Sequence, residues 1–168
     1  MSSENVIASI VHLNGGKVVG KTRLQKTVHL LESLGLDTDF HFEYHNFGPF
    51  SADVAEAADI AVVSGVLDVQ QKFGHHEMPY SEYTSMISDD KAFLPGLPLN
   101  EATQYIMTMK KYNAVEMELA STLWFLLSER NFASEQESMS ELKTLKPRKA
   151  TEKRISRAAS LLRELGLR

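Results

Sequence analysis

The hydrophobic positions of residues 21–69 change their spacing along the chain, and each change predicts a different element. Apolar residues first recur every three or four positions, which is typical of one face of an amphipathic helix that ends at Gly35. The members of this stripe are Leu24, Val28, Leu31 and Leu34. Residues 40–45 then alternate between aromatic and polar side chains, which predicts a short strand with one aromatic face.

The segment after this strand predicts a break and a second helix. Residues 47–50 read Phe-Gly-Pro-Phe, and glycine followed by proline favours an interruption. Ser51 is a suitable N-cap for the next helix, because its hydroxyl can accept a hydrogen bond from the first turn. The apolar face of that helix is formed by Val54, Ala57, Ala58, Ala61 and Val62. Gly65 ends the helix, and residues 66–69 predict a strand.

The flanking segments extend this pattern on both sides. Residues 4–13 predict a short helix, and residues 66–72 and 80–87 predict the two arms of a β-hairpin, or wing. Residues 88–99 contain two prolines and a glycine, which predicts a loop that connects two lobes. The remainder predicts four helices, which are capped or begun by Asn100, Asn113, Ser134 and Thr151.

Together these patterns predict a mainly α fold with a small β-hairpin in a winged-helix-like arrangement. An N-terminal winged-helix-like lobe (1–87) is followed by a connecting loop (88–99) and a helical C-terminal lobe (100–168). A shift of 101 residues places the apolar positions of the third helix on those of the last helix, which indicates two helix-turn-helix-type lobes. Shared amphipathic packing alone also produces such a match.

The central stretch resembles two known families. The run Lys-Thr-Arg-Leu-Gln-Lys (21–26), the aromatic strand, Phe-Gly-Pro-Phe-Ser (47–51) and the helix ending in Ser-Gly-Val-Leu are similar to the YwgA-like family of small bacterial proteins. The Leu-Gln-Lys helix and the Gly-Pro turn also resemble, more distantly, the SocA-like (Panacea) antitoxin domain, where a tyrosine occupies the position of Phe47. The resemblance implies a regulatory protein that binds another protein, as an antitoxin or a defence-system adaptor does.

Composition narrows the classes of function. A chain of 168 residues with 43% hydrophobic residues can bury one core, or two small lobes that share a core. No apolar run approaches the ~20 residues that span a bilayer, and the first residues lack a signal-peptide pattern, so we expect a cytoplasmic protein. The absence of cysteine excludes disulfides, thiolate metal ligands and cysteine nucleophiles.

Charge is distributed unevenly around a net value of −4. Residues 143–168 contain nine lysines and arginines against two glutamates, so the rest of the chain is strongly acidic. This basic end predicts a nucleic-acid-binding surface, or alternatively a solvated face that pairs with the acidic body. Its candidate residues are Arg148, Lys149, Lys153, Arg154 and Arg157. The third helix instead offers Asp53, Glu56 and Asp59, which would repel phosphates and favour a basic protein partner.

A glycine-rich match to a phosphate-binding loop runs from Gly15 to Thr22. Such a loop requires a buried strand before the turn and a helix that begins at the lysine. Residues 10–13 are strand-like and a helix is expected near Lys21, but the parallel strands and the magnesium-binding aspartate of a nucleotide-hydrolysing domain are not indicated downstream. We therefore expect a turn followed by a helix N-terminus.

The histidines and carboxylates of the predicted aromatic strand do not favour a metal site. His41, Glu43 and His45 share one face, but the two histidines would lie ~13 Å apart on a flat strand, which is too far for one ion. No carboxylate pair or zinc-protease motif is present in a context that supports catalysis.

We therefore expect a protein that is not an enzyme and holds no cofactor or metal. Two functional hypotheses remain. The first is a regulatory protein-binding module, and the second is a DNA-binding transcriptional regulator that uses the basic C-terminal helix.

Overall fold

The protein is mainly helical, with two small antiparallel sheets. A computed structural model describes residues 2–129 and 134–168, which form seven α-helices and five strands. The helices are α1 (Ser3–Leu13), α2 (Lys21–Ser33), α3 (Ala52–Val63), α4 (Leu99–Met109), α5 (Ala114–Glu129), α6 (Glu135–Leu145) and α7 (Glu152–Glu164). The strands are β1 (Lys17–Val19), β2 (Glu43–His45), β3 (Gly48–Phe50), β4 (Leu67–Phe73) and β5 (Pro79–Ser85).

The larger sheet has the strand order β1-β5-β4, and both of its strand pairs are antiparallel. Strands β4 and β5 confirm the hairpin predicted from residues 66–87. Strand β1 has only three residues and was not predicted, because three residues carry no readable alternation. It is held by pairing with β5, where Val18 lies opposite Tyr83 and both side chains are buried.

One hydrophobic core includes residues from both predicted lobes. The predicted stripe on α2 faces this core, with Val28 and Leu31 fully buried and Leu24 nearly so, while Leu34 is partly buried. The apolar residues of α7 are also buried, as their spacing predicts. They are Ile155, Ala158, Ala159, Leu162 and Leu165.

Helix starts follow the local capping signals closely. The hydroxyls of Ser51, Ser134 and Thr151 accept hydrogen bonds from the first turns of α3, α6 and α7, as predicted. Asn100 was wrongly assigned as a cap, because α4 begins one residue earlier and Pro98 occupies the N-cap position.

One predicted helix is confirmed and one predicted strand is altered in the structure. Residues 10–13, although strand-like in sequence, form the last turn of α1, which is the helix predicted over residues 4–13. The predicted aromatic strand is reduced to β2, and the Gly-Pro segment expected to break the chain forms β3 and pairs with β2. A tertiary contact holds the new strand, since the buried Lys26 ammonium donates a hydrogen bond to the Pro49 carbonyl at 2.5 Å.

The segment between β5 and α4 packs against the N-terminal half. Leu94 and Leu97 are each 3% exposed, and the Phe93 amide donates a hydrogen bond to the Ser9 hydroxyl at 3.0 Å. The predicted connecting loop therefore contributes side chains to the core. In the described part of the chain, none of the helices combines the length and apolarity that crossing a membrane requires.

Replacing Leu31 by alanine tests the role of the α2 stripe. Because the side chain is fully buried, we expect the free energy of unfolding to fall by ~2–5 kcal/mol. Val63→Ala is the control, since Val63 is 89% exposed and its loss should change stability by less than about 0.5 kcal/mol. Urea denaturation gives both values, and an unchanged midpoint for Leu31→Ala would contradict the assignment.

Candidate functional site

The outer face of α3 is acidic and partly apolar. Asp53, Glu56 and Asp59 are exposed there, because the opposite face of the helix is buried in the core. Helix α3 contains no lysine or arginine. Ile60 and Val63 are also exposed, by 43% and 89% respectively. This face therefore combines negative charge with apolar surface, which is a usual composition for a protein contact.

A groove of about 320 Å³ runs between the start of α1 and α3. Carboxylates line much of it, and no lysine or arginine does so among the residues that the structure describes. The lining residues include Glu4, Asp39, Phe40, Asp53, Glu56 and Ile60. The Asp53 carboxylate accepts a hydrogen bond from the His41 backbone amide at 2.8 Å, which ties the loop before β2 to α3.

A second groove, of about 430 Å³, adjoins the first at Phe40, which lines both. Its wall is largely aromatic, and the Trp124 indole donates a hydrogen bond to the Ser33 hydroxyl at 2.7 Å. Glu32 and Glu129 supply the carboxylates of this groove. The two grooves together extend the acidic and apolar surface from α3 towards α5.

Two titratable side chains beside the second groove have strongly shifted pKa values. Burial raises the pKa of Glu32 to about 7; the hydrogen bond from Thr38 acts in the opposite direction, and the charges of Asp37 and Asp53 add to the rise. Burial, together with the nearby Lys26 charge, lowers the pKa of His29 to about 4. Glu32 therefore changes its charge near neutral pH, whereas His29 stays neutral there.

The five predicted nucleic-acid-binding residues differ in whether their charges are already paired with carboxylates of the protein. Lys149 forms an ion pair with Glu118 at 3.0 Å, and Arg157 forms one with Glu116 at 3.1 Å. The Arg157 guanidinium also lies 4.2 Å from the centre of the Tyr112 ring and donates a hydrogen bond to the Lys111 carbonyl. For these two residues the structure supports the alternative in which the basic end pairs with the acidic body.

The other three residues of this set make fewer contacts. Arg154 donates a hydrogen bond to the Lys149 carbonyl at 3.3 Å. Arg148 and Lys153 are exposed, and neither forms an ion pair within the described ranges. The cations available to a polyanion are therefore fewer than the sequence count indicates.

The structure also contains a buried charged cluster that sequence reasoning missed, formed by Lys26, Glu118, Lys146 and Lys149. The Glu118 carboxylate and the Lys146 ammonium are 2.9 Å apart, and each side chain is 4% exposed. Lys149 contacts the same carboxylate from a more exposed position, while Lys26 is 1% exposed. The members lie on α2, on α5 and after α6, so no local spacing links them.

Glycine at position 48 permits the β2–β3 hairpin to cover this cluster. Gly48 has φ +90°, and a Cβ atom there would overlap the hydroxyl of Thr122 on α5. The aromatic residues of the hairpin also contact the cluster. The Lys149 ammonium lies 4.9 Å from the Phe47 ring centre, and the Lys146 ammonium lies 5.9 Å from that of Tyr44.

The glycine-rich segment 15–22 is not built as a nucleotide-binding loop. The residues before it belong to helix α1 rather than to a buried strand, and strand β1 lies inside the motif. Within the row of His41, Glu43 and His45, the Glu43 carboxylate lies 3.4 Å from the His41 ring nitrogen and 3.8 Å from that of His45. No group of three or more potential metal ligands was found in the described residues.

No protein-family model matches this chain, and none of the curated proteins shows a significant similarity to it.

Removing the Glu118 charge should destabilise the fold. Glu118→Gln would leave Lys146 buried without its ion-pair partner, and we expect a loss of about 3–5 kcal/mol in the free energy of unfolding. Urea denaturation measures the loss. Glu101→Gln, on the exposed side of α4, is the matched control and should stay within about 0.5 kcal/mol of the wild type. Equal stability of the two variants would contradict a structural role for the cluster.

The raised pKa of Glu32 makes a prediction about pH. A carboxyl whose folded pKa lies above its unfolded value holds its proton more tightly in the folded state, so its contribution is fully present below pH 4.5 and is lost as the pH rises through about 7. The wild type should therefore lose stability relative to Glu32→Gln between pH 5 and pH 8.

Denaturation of both proteins at these two pH values tests the prediction. The lowered pKa of His29 makes stability rise with pH between about 4 and 6.5, which is the opposite sign, but His29 is present in both proteins and cancels in the comparison. A difference between the two proteins that does not change with pH would show that Glu32 is not perturbed.

Proposed function

We propose that this protein is a regulatory protein-binding module without enzymatic activity, similar to an antitoxin or a defence-system adaptor, and that it binds a basic partner through α3. One observation carries the proposal. The exposed face of α3 has Asp53, Glu56 and Asp59 beside the exposed Ile60 and Val63, and it contains no basic residue. The adjoining grooves extend this surface with further carboxylates and aromatic side chains.

The proposed fold of the N-terminal half is a winged helix. The order α1, β1, α2, β2, β3, α3, β4, β5 and the strand order β1-β5-β4 support it, because three helices are followed by a hairpin that pairs with a strand inserted between the first two helices. The β2–β3 hairpin is an insertion between α2 and α3. DNA-binding proteins of the helix-turn-helix class place a recognition helix in the major groove. Here the helix at that position is acidic, and phosphates would repel it.

The second candidate is a DNA-binding regulator that uses the basic end of the chain. The exposed Arg148 and Lys153, which form no ion pair within the described ranges, favour it. The ion pairs of Lys149 and Arg157 weigh against it, because these side chains would have to exchange a carboxylate for a phosphate. We therefore favour the protein-binding function.

Charge reversal on α3 should abolish capture of the partner. The triple variant Asp53→Lys, Glu56→Lys, Asp59→Lys replaces attraction by repulsion, which slows association with a basic surface. The control carries the same change in net charge at three exposed positions elsewhere, Asp68→Lys, Asp90→Lys and Glu101→Lys.

Each tagged protein is expressed in the source cells, and the co-purified proteins are quantified by mass spectrometry. We expect one partner to be retained by the wild type and the control and lost from the α3 variant. Equal retention by the α3 variant and the control would contradict the proposal.

DNA binding is tested directly by fluorescence anisotropy with random and promoter-derived duplexes at about 50 and 200 mM salt. We expect no binding at either concentration. If the second candidate is correct, log affinity should fall with log salt by about 0.9 per neutralised phosphate, and Arg154→Ala with Arg157→Ala should reduce that slope by up to about 2 units. Salt-dependent binding that is lost in the arginine variant would favour the DNA-binding function.

A further inference from the structure

The buried cluster under the β2–β3 hairpin has an excess of positive charge. Three ammonium groups, from Lys26, Lys146 and Lys149, face one carboxylate, from Glu118. Two of these lysines pair directly with Glu118, whereas Lys26 forms no ion pair within 4.0 Å in the part of the chain that the structure describes. Buried charges without a counter-charge are costly, so a further negative charge beside Lys26 would be favourable.

A cavity of about 430 Å³ adjoins Lys26. It lies between the first two turns of α2 and the β2–β3 hairpin, and no carboxylate lines it among the described residues. Its polar side includes Lys21, Thr22 and Lys26, and its apolar side is formed by Phe47 and Phe50. The cavity therefore offers cationic and hydroxyl donors on one side and aromatic surface on the other.

Lys26 connects the cluster to the cavity. Among the described residues its ammonium donates one hydrogen bond, to the Pro49 carbonyl, out of the three that an ammonium can donate. Burial lowers the pKa of Lys26 to about 8; attraction by Glu118 opposes this, and repulsion from Lys146 and Lys149 adds to it. At neutral pH the Lys26 side chain is thus predominantly charged, and its positive charge is not balanced by a paired carboxylate among the described residues. An anion in the cavity would supply the missing negative charge.

We propose that this cavity binds a small organic anion in which a carboxylate or a phosphate monoester is attached to a flat apolar group. The oxyanion would lie near Lys26, with Lys21 and Thr22 as further donors, and the apolar group would lie against Phe47 and Phe50. This site accounts for the lysine and threonine that end the glycine-rich segment, which the protein-binding function leaves unused. The site does not depend on that function, because it uses none of the carboxylates of α3.

Phenyl phosphate and benzoate are the probes, because they present the two oxyanions on the same ring. Inorganic phosphate lacks the ring, and benzyl alcohol lacks the charge. A probe of this size is expected to bind in the high micromolar to millimolar range. We expect at least one of the two aromatic anions to bind saturably, about tenfold more tightly than inorganic phosphate or benzyl alcohol. The relative affinities of phenyl phosphate and benzoate then identify which oxyanion the site prefers.

Amide chemical shifts in an isotope-labelled sample locate the binding. We expect the shifts to be confined to residues 21–26 and 45–50. The absence of saturable binding by both aromatic anions would overturn the proposal, and so would shifts centred on the basic C-terminal helix.

Variants distinguish a site from a general attraction to positive charge. Phe47→Ala should weaken binding of the aromatic anions more than that of inorganic phosphate, since Phe47 is 57% exposed, forms part of the apolar wall and otherwise contacts only the edge of the charged cluster through Lys149. Lys21→Ala should weaken every anion several-fold, whereas Lys91→Ala, an exposed lysine remote in sequence, should change nothing. Equal affinities in all three variants would overturn the proposal.

Lys26→Met removes the buried charge at similar length, and we expect a loss of about tenfold or more in affinity. Circular dichroism tests whether this variant is folded. If it is not, the affinities of the two exposed variants, Phe47→Ala and Lys21→Ala, decide whether the cavity is the binding site, because neither side chain belongs to the core.

Discussion

The approach of the β2–β3 hairpin to α5 is the contact on which the arrangement of the molecule depends. Gly48 lies against Thr122, at a distance that no larger residue permits. The neighbouring Pro49 carbonyl accepts the hydrogen bond of the buried Lys26 ammonium. Glu118, one turn before Thr122, binds both Lys146 and Lys149 from the segment that joins α6 to α7. The hairpin, α2, α5 and the C-terminal segment are thereby fixed to one another.

This arrangement leaves the molecule with an acidic face on α3 and a basic C-terminal end whose charges are partly paired. Because Lys149 and Arg157 pair with carboxylates of α5, the basic end of the chain is partly neutralised internally. The carboxylates of α3 have no such partners, and their only described side-chain contact is the bond from the His41 amide to Asp53. A chain with a small net charge therefore presents a distinctly acidic face, which is the physical basis for a basic protein partner.

Local signals predicted the helices and the β4–β5 hairpin well, since each depends on residues that are close in sequence. Ser51, Ser134 and Thr151 mark helix starts through bonds to the next few amides, and the α2 stripe is readable because the core lies on one side of it. The second strand of the small hairpin was not predicted, because Gly-Pro favours a break locally and the contact of Pro49 with Lys26 joins residues more than twenty positions apart. The buried cluster was not predictable either, since Lys26, Glu118 and Lys146 meet only after the fold is complete.

Site-specific photo-crosslinking tests most directly which surface contacts a partner. A photoreactive phenylalanine analogue is placed at Val63, on the exposed face of α3, or at Lys153, on the exposed face of α7, and the cells are irradiated. We expect a discrete protein adduct from position 63 and no nucleic-acid adduct from position 153. A nucleic-acid adduct from position 153, together with no protein adduct from position 63, would contradict this expectation.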